Sequence, residues 1–257
     1  MAMKMPMLCN ELFKRWVFIK IDGNEISVIQ KGEGEDVVFL HGYLACKETF
    51  NYQLDYLSHF FKVTAFDFLG FGASDKLSSA FNVDDYVNFI VKVLDELGIK
   101  QANFIAHSFG GRVAIKLSVS YNEYVKKLLL TGCAGLKPKF SFKKFFKIYT
   151  YKLLKNFISK ENLEKKFSSS DYKNLSPIMK HSFVKIISED LSSYLKYIKV
   201  PTLIVCGKQD KETPLYMSKK LNKNIKDSEL IIFENSGHFA FIDESNKFNI
   251  IAKSFLT

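Results

Sequence analysis

Hydrophobic and polar positions change period several times along this chain, and each change marks an element. Residues 16–21 and 25–30 are rich in β-branched and aromatic side chains and flank Asp22-Gly23-Asn24, which reads as a hairpin turn. Residues 37–40 form a short, wholly apolar run ending at His41-Gly42. Strand and helix patterns then alternate. A strand over 61–66 ends in Asp67, a helix over 83–97 stops at Gly98, and a strand over 103–106 precedes a helix over 110–121 and a strand over 127–130. Downstream, 202–206 and 229–233 repeat the buried-strand pattern, with a helix near 215–221 between them and a last helix over about 246–255. Apolar strands alternating with helices predict a mostly parallel central sheet covered by helices on both faces. No internal repeat is visible.

The alternation lapses between Gly135 and Lys199, where no strand pattern occurs. Phe142, Phe145, Phe146, Tyr149, Leu153 and Phe157 recur at helical spacing amid lysines. Ser176-Pro177 supplies a capping serine followed by proline at the first helical position, which predicts a second helix. The segment 135–199 therefore reads as an all-helical cap inserted between core segments 1–134 and 200–257.

Composition adds less than pattern. A chain of 257 residues, 47% hydrophobic, can bury a large core and is not disordered in character. Lysine outnumbers arginine 35 to 2, a skew that an AT-rich genome explains without a functional cause. The distribution is more telling. Residues 135–199 hold 15 lysines and five acidic residues, a net of +10, while the rest of the chain has 22 of each sign. The four cysteines, Cys9, Cys46, Cys133 and Cys206, are widely spaced and form no C-x-x-C pair, so neither a zinc site nor a disulfide framework is expected. Free thiols suggest a reducing cytosol. No apolar run of signal-peptide length precedes Lys14 and Arg15, and none reaches the roughly 18 residues needed to span a bilayer, so a cytoplasmic location is expected.

The strongest chemical signal is Ala106-His107-Ser108-Phe109-Gly110-Gly111, where an apolar strand meets a helix. A sharp strand-to-helix turn needs small residues flanking a nucleophile, and Ala106 and Gly110 supply them as A-x-S-x-G. Such a turn exposes the Ser108 hydroxyl and points the Phe109 N–H at a developing oxyanion. Taken alone, the pentapeptide also fits a small-residue helix start that happens to contain a serine. A serine hydroxyl needs a base held by a carboxylate. Among the five histidines, His41 adjoins the first core strand, His59 falls in a surface helix, His107 neighbours the serine and His181 lies in the cap. His238 alone follows a late strand in a loop, Asn235-Ser236-Gly237-His238. Asp210, in Gly207-Lys208-Gln209-Asp210, follows the preceding strand. Strand ends at the carboxyl side of a parallel sheet share one edge, so Ser108, Asp210 and His238 should meet there.

These segments together resemble the α/β-hydrolase superfamily, over nearly the whole chain outside the cap. The matching pieces are His41-Gly42-Tyr43, the run from Asp67 to Asp75 with Gly70 and Gly72, the Ser108 elbow, 201–210 and Ser236-Gly237-His238. The resemblance implies an α/β-hydrolase fold with an inserted helical cap and a second oxyanion amide at the Tyr43 N–H. Some relatives carry the acid after the strand before the cap; here that place holds Gly132, Cys133 and Ala134, which leaves Asp210. Serine at the elbow argues against epoxide hydrolases and haloalkane dehalogenases, which use aspartate. Carbon–carbon bond hydrolases of the family usually have a cap arginine and a tryptophan after the histidine, whereas this cap has no arginine and Phe239 follows His238. Arg112, next to the elbow glycines, reads as a salt-bridge residue on its helix. The expected activity is carboxylesterase-like, hydrolysing an ester or thioester through an acyl-enzyme, with no metal or organic cofactor. The alternatives are a carbon–carbon hydrolase, an acyltransferase using the same residues, and a binding protein of the same fold without turnover. The basic cap, with Lys143, Lys144 and Lys147 as candidate substrate-binding residues, suits an anionic carrier such as acyl carrier protein or a coenzyme A ester, or an anionic membrane surface. It equally suits a merely solvated surface. Nucleic acid is not expected, since no recognition motif is present.

Overall fold

The computed structural model describes residues 16–137 and 175–257. Strands β1 (Val17–Ile21) and β2 (Asn24–Lys31) form the expected hairpin across Asp22-Gly23. Six further strands follow: β3 (Asp36–Leu40), β4 (Lys62–Phe66), β5 (Ala102–His107), β6 (Val125–Thr131), β7 (Thr202–Gly207) and β8 (Ser228–Phe233). They build one eight-stranded sheet in the order β1-β2-β4-β3-β5-β6-β7-β8. Pairing is antiparallel from β1 to β4 and parallel from β4 onward. The α/β-hydrolase arrangement is thus present, with helices α1 (Asn51–Leu57), α2 (Val83–Glu96), α3 (Phe109–Ser120), α4 (Pro177–Ser188), α5 (Leu215–Asn224), α6 (Ala240–Asp243) and α7 (Ser245–Leu256).

The period-2 geometry of the strands divides the core in two. Val38 and Leu40 of β3 face a cluster with Val83, Ile90, Val113 and Leu221 of α2, α3 and α5. Val37 and Phe39 face Leu54, Leu57, Phe241 and Phe248 of α1, α6 and α7. Each such buried side chain contributes about 1.5–3 kcal/mol through the apolar area it removes from water. The start of α2 is fixed by a capping box, in which Asn82 Oδ1 accepts from the Asp85 N–H at 3.0 Å and Asp85 Oδ2 accepts from the Asn82 N–H at 2.7 Å. The cap serine expected before α4 is present too: Ser176 Oγ accepts the Met179 N–H at 3.2 Å, with Pro177 in the first turn.

Some expectations need correction. His59 lies in a turn just past α1, not in a helix. Cys46 is disulfide-bonded, whereas Cys133 and Cys206 are buried free thiols. The free-thiol argument for a reducing compartment therefore fails at Cys46, because spacing alone carries no information on which side chains the fold brings together. Of the expected cap, residues 175–199 contain α4 and a single-turn 3₁₀ helix at Leu195–Tyr197, and no strand. Phe142 to Phe157 and Lys143, Lys144 and Lys147 lie outside the described residues. Among the described residues no helix is long and apolar enough to cross a membrane.

Candidate active site

The elbow begins where β5 ends. Ser108 is held at φ 51° and ψ −109°, in the left-handed half of backbone space that a residue with a side chain enters only under constraint. The constraint comes from both sides. The Ser108 N–H donates to Thr131 O of β6 at 3.1 Å, and Ser108 O accepts from the Gly111 and Ala134 N–H groups, each at 3.1 Å. A Cβ at Gly110 would lie 2.2 Å from Leu40 O, so only glycine lets α3 cross the end of β3 this closely. The glycine read from the sequence at position 110 is thus required by backbone contact.

Asp210 and His238 come from the loops after β7 and β8. Those loops are tied together: the Lys208 N–H donates to Phe233 O at 2.8 Å and the Gln209 N–H to Ser236 O at 3.0 Å. A Cβ at Gly207 would lie 2.1 Å from Gly237 O. In consequence His238 Nδ1 reaches Asp210 Oδ2 at 2.8 Å, with the Asp210 side chain fully buried and that of His238 8% exposed. Asp210 also accepts the Glu212 and Thr213 N–H groups on Oδ1, at 2.8 and 2.9 Å, and the Thr213 hydroxyl on Oδ2 at 2.6 Å. Burial alone would raise this carboxyl; the bond to His238, its charge and the Thr213 bonds outweigh that and hold it down to about 2. An ionised Asp210 only accepts, so the His238 proton sits on Nδ1 and leaves Nε2 as the basic nitrogen.

Ser108 and His238 line one cavity of about 420 Å³, together with Tyr43, Phe109, Arg112, Phe183, Ile186, Glu212 and Phe239. Three of the sequence candidates therefore meet at the carboxyl edge of the sheet, and Tyr43 and Phe109 line the same space. Glu212 is an addition that the sequence did not single out. Its Oε2 lies 3.3 Å from His238 Nε2, on a side chain that is 70% exposed. Being two residues from Asp210, it carried no distinguishing signal among the acidic residues.

Two further histidines brace the site. The His41 Nδ1–H donates to Gly42 O at 2.7 Å, while its Nε2 accepts the Phe68 N–H at 3.1 Å. Burial lowers its pKa, only partly offset by Asp67, so the ring stays neutral in this tautomer. Gly42 O belongs to the same peptide unit as the Tyr43 N–H, which His41 therefore orients. The His107 Nε2–H donates to His238 O at 3.1 Å, and burial, helped by the nearby His238 charge, holds its pKa well below the ordinary value. Behind them, Asp67 is fully buried and accepts from the Lys47 N–H, Lys47 Nζ and the Ala73 N–H at 2.7–2.8 Å. Lys47 was one lysine among 35, with nothing in the sequence to mark it.

Arg112 departs from its expected role. Its Nη1 donates to the backbone carbonyl of Glu189 at 2.9 Å, and it forms no ion pair among the described residues. The helix turns it inward onto the cavity wall instead of along the surface.

A strained serine at a strand–helix elbow and a histidine–carboxylate pair on the same sheet edge define a hydrolase of the α/β type. The chain belongs to the α/β-hydrolase fold family, whose sequence profile matches residues 37–157 and 147–245. It is 30% identical over 253 residues to the AB hydrolase superfamily protein YisY of Bacillus subtilis, covering 87% of this chain and 92% of that one. It is 27% identical to the 2-hydroxymuconate semialdehyde hydrolase of a Pseudomonas species, covering 76% of each. Among solved structures, an esterase from Exiguobacterium antarcticum superposes with a TM-score of 0.75 at 28% identity, covering 93% of this chain and 98% of that one.

Proposed function

We propose that the protein is a serine hydrolase that cleaves a carboxylic ester or thioester through an acyl-enzyme intermediate. The observation that carries this reading is the 2.8 Å contact of His238 Nδ1 with a buried, ionised Asp210, on a histidine that lines one cavity with Ser108. Ser108 Oγ attacks the acyl carbon as His238 Nε2 takes its proton, and the resulting imidazolium gives that proton to the leaving alcohol or thiol. Water then repeats the sequence on the acyl-enzyme and releases the acid. The N–H of Phe109, in the first turn of α3, has no carbonyl one turn earlier to bond, and with the Tyr43 N–H it receives the oxyanion. His41 and His107 act as positioning residues: one orients the Tyr43 peptide, the other anchors the His238 backbone. No step calls for a metal or organic cofactor.

The test is a panel of p-nitrophenyl esters from acetate to palmitate beside acyl thioesters. Turnover of at least one series, lost on fluorophosphonate treatment, is expected. Absence of turnover on every ester and thioester would refute the reading. A second reading, carbon–carbon bond hydrolysis, is favoured by the 2-hydroxymuconate semialdehyde hydrolase among the relatives. The same residues serve it, so a dienoate ring-fission product belongs in the panel as the competing substrate. For the basic segment 135–199, an anionic carrier (acyl carrier protein or a coenzyme A ester) or an anionic membrane surface is the proposed partner, on the grounds of its charge.

A further inference from the structure

Arginine is rare in this chain, and one of its two occurrences is four residues after Ser108. Arg112 is only 7% exposed and borders the Ser108 cavity. A guanidinium keeps its charge under all ordinary conditions, so a buried one calls for a counter-charge. Among the described residues no carboxylate is in contact with it. The Nη1 bond to Glu189 O is its one hydrogen bond among the described residues, and a carbonyl brings only a partial charge. Glu189 and Asp190, the described acidic residues whose charge acts on Arg112 through space, are both engaged elsewhere. Glu189 Oε1 takes Lys116 Nζ at 2.7 Å, and Asp190 Oδ1 takes the Ser192 N–H and O–H at 3.1 and 2.7 Å. Arg112 lines the same cavity wall as Ser108 and His238. Its neighbours on that wall, Ala134, Leu175 and Ile186, are apolar and supply no charge.

We propose that Arg112 is a specificity-determining residue that holds a carboxylate of the acyl group beside Ser108, so that the preferred substrate is a monoester or monothioester of a small dicarboxylic acid. The inference rests on Ser108 being the acylated residue. The planar fork of a guanidinium presents two parallel N–H groups to a carboxylate, which an ammonium cannot do, and this accounts for arginine at one site in a chain that otherwise uses lysine. Glu212, the other Asp, Glu, Lys or Arg on the wall among the described residues, lies at His238 on the loop after β7 and would repel a carboxylate there. The anion is therefore directed to the α3 wall. A cavity of about 420 Å³ suits a short acyl group.

Calorimetric titration of the Ser108→Ala protein with monomethyl glutarate and with dimethyl glutarate tests the assignment without relying on turnover. The acid should bind about tenfold or more tightly than the diester, and Arg112→Gln in the same background should erase the difference. Equal binding of the two, no binding of the acid, or a preference that survives Arg112→Gln would overturn it. Should Arg112→Gln fail to fold by circular dichroism, Arg112→Lys keeps the charge without the fork. The preference should then fall severalfold, and an unchanged preference counts against the proposal. A failure of Ser108 as nucleophile would be seen separately, as retained esterase activity in Ser108→Ala.

Discussion

Ser108 sits in a backbone conformation that nothing about serine favours, held there by hydrogen bonds with Thr131 of β6 and with Ala134 in the loop after it. Such local strain persists only where the surroundings over-determine it. Removing the hydroxyl leaves those backbone bonds untouched. Ser108→Ala is therefore expected to fold normally while losing about 10⁴- to 10⁶-fold in turnover, read by steady-state assay, with fluorophosphonate labelling abolished. Retention of a tenth of the activity would exclude Ser108 as nucleophile. Asp210 supports a second expectation. Asp210→Asn can still fill the space but no longer fixes the proton on Nδ1, so turnover should fall by about 10⁴-fold. Glu234→Gln, which removes a surface partner of Lys208 near His238, should leave turnover unchanged. Because the folded protein holds Asp210 at about 2, below the ordinary carboxylate value near 3.8, it contributes stability above about pH 4 that is lost as pH falls toward 2. Thermal melts should show a shallower loss over that window in Asp210→Asn than in the parent.

At the scale of elements, the site depends on how closely loops approach one another. The loops after β7 and β8 are joined by backbone hydrogen bonds and by contact at Gly207, and this joins Asp210 to His238. The loop after β4 is held by Asp67, which ties the turn after β3 to Ala73 through Lys47. A lysine this deeply buried is tolerable only with carboxylates against it, here Asp67 and Glu48, each at 2.8 Å. Lys47→Met should lower the unfolding free energy by about 3–5 kcal/mol, because it strands the Asp67 charge in the interior. Urea denaturation measures this, and a change under 1 kcal/mol would show the pair to be dispensable. The order of strands and helices was legible because burial imposes period 2 or 3.6 on the sequence, and most ends fell within two residues of the expected ones. The short helix α6 was not read, and α1 was read only as a surface helix without bounds at His59, two residues past its end. Seven and four residues are too few for a helical period to stand out.

For the molecule as a whole, charge is the feature most unevenly distributed. The net +10 of the chain resides in 135–199, most of which lies outside the described residues. If that charge receives an anionic carrier or membrane, turnover of a carrier-linked or liposomal substrate should fall steeply with ionic strength. Screening shortens the Debye length from about 30 Å at 0.01 M to about 8 Å at 0.15 M. Turnover of a small neutral ester should barely change, and charge reversal at Lys143, Lys144 and Lys147 should reproduce the loss at low salt. Equal salt dependence of the two substrate types would reduce the charge to a solubilising role.

The sequence by itself determined the alternation of elements and the fold class and singled out Ser108, Asp210 and His238 as candidates, because buried strands, sharp turns and acid–base chemistry each restrict which residue types can stand where. Only the tertiary structure decided what those residues meet. Arg112 reads as a surface partner until α3 turns it onto the cavity wall, and Glu212 is one acid among many until the loop after β7 brings it to His238. Lys47 was hidden among lysines until Asp67 arrived beside it. These are contacts between segments distant in the chain or set by loop geometry, and local periodicity does not encode the distance between two side chains.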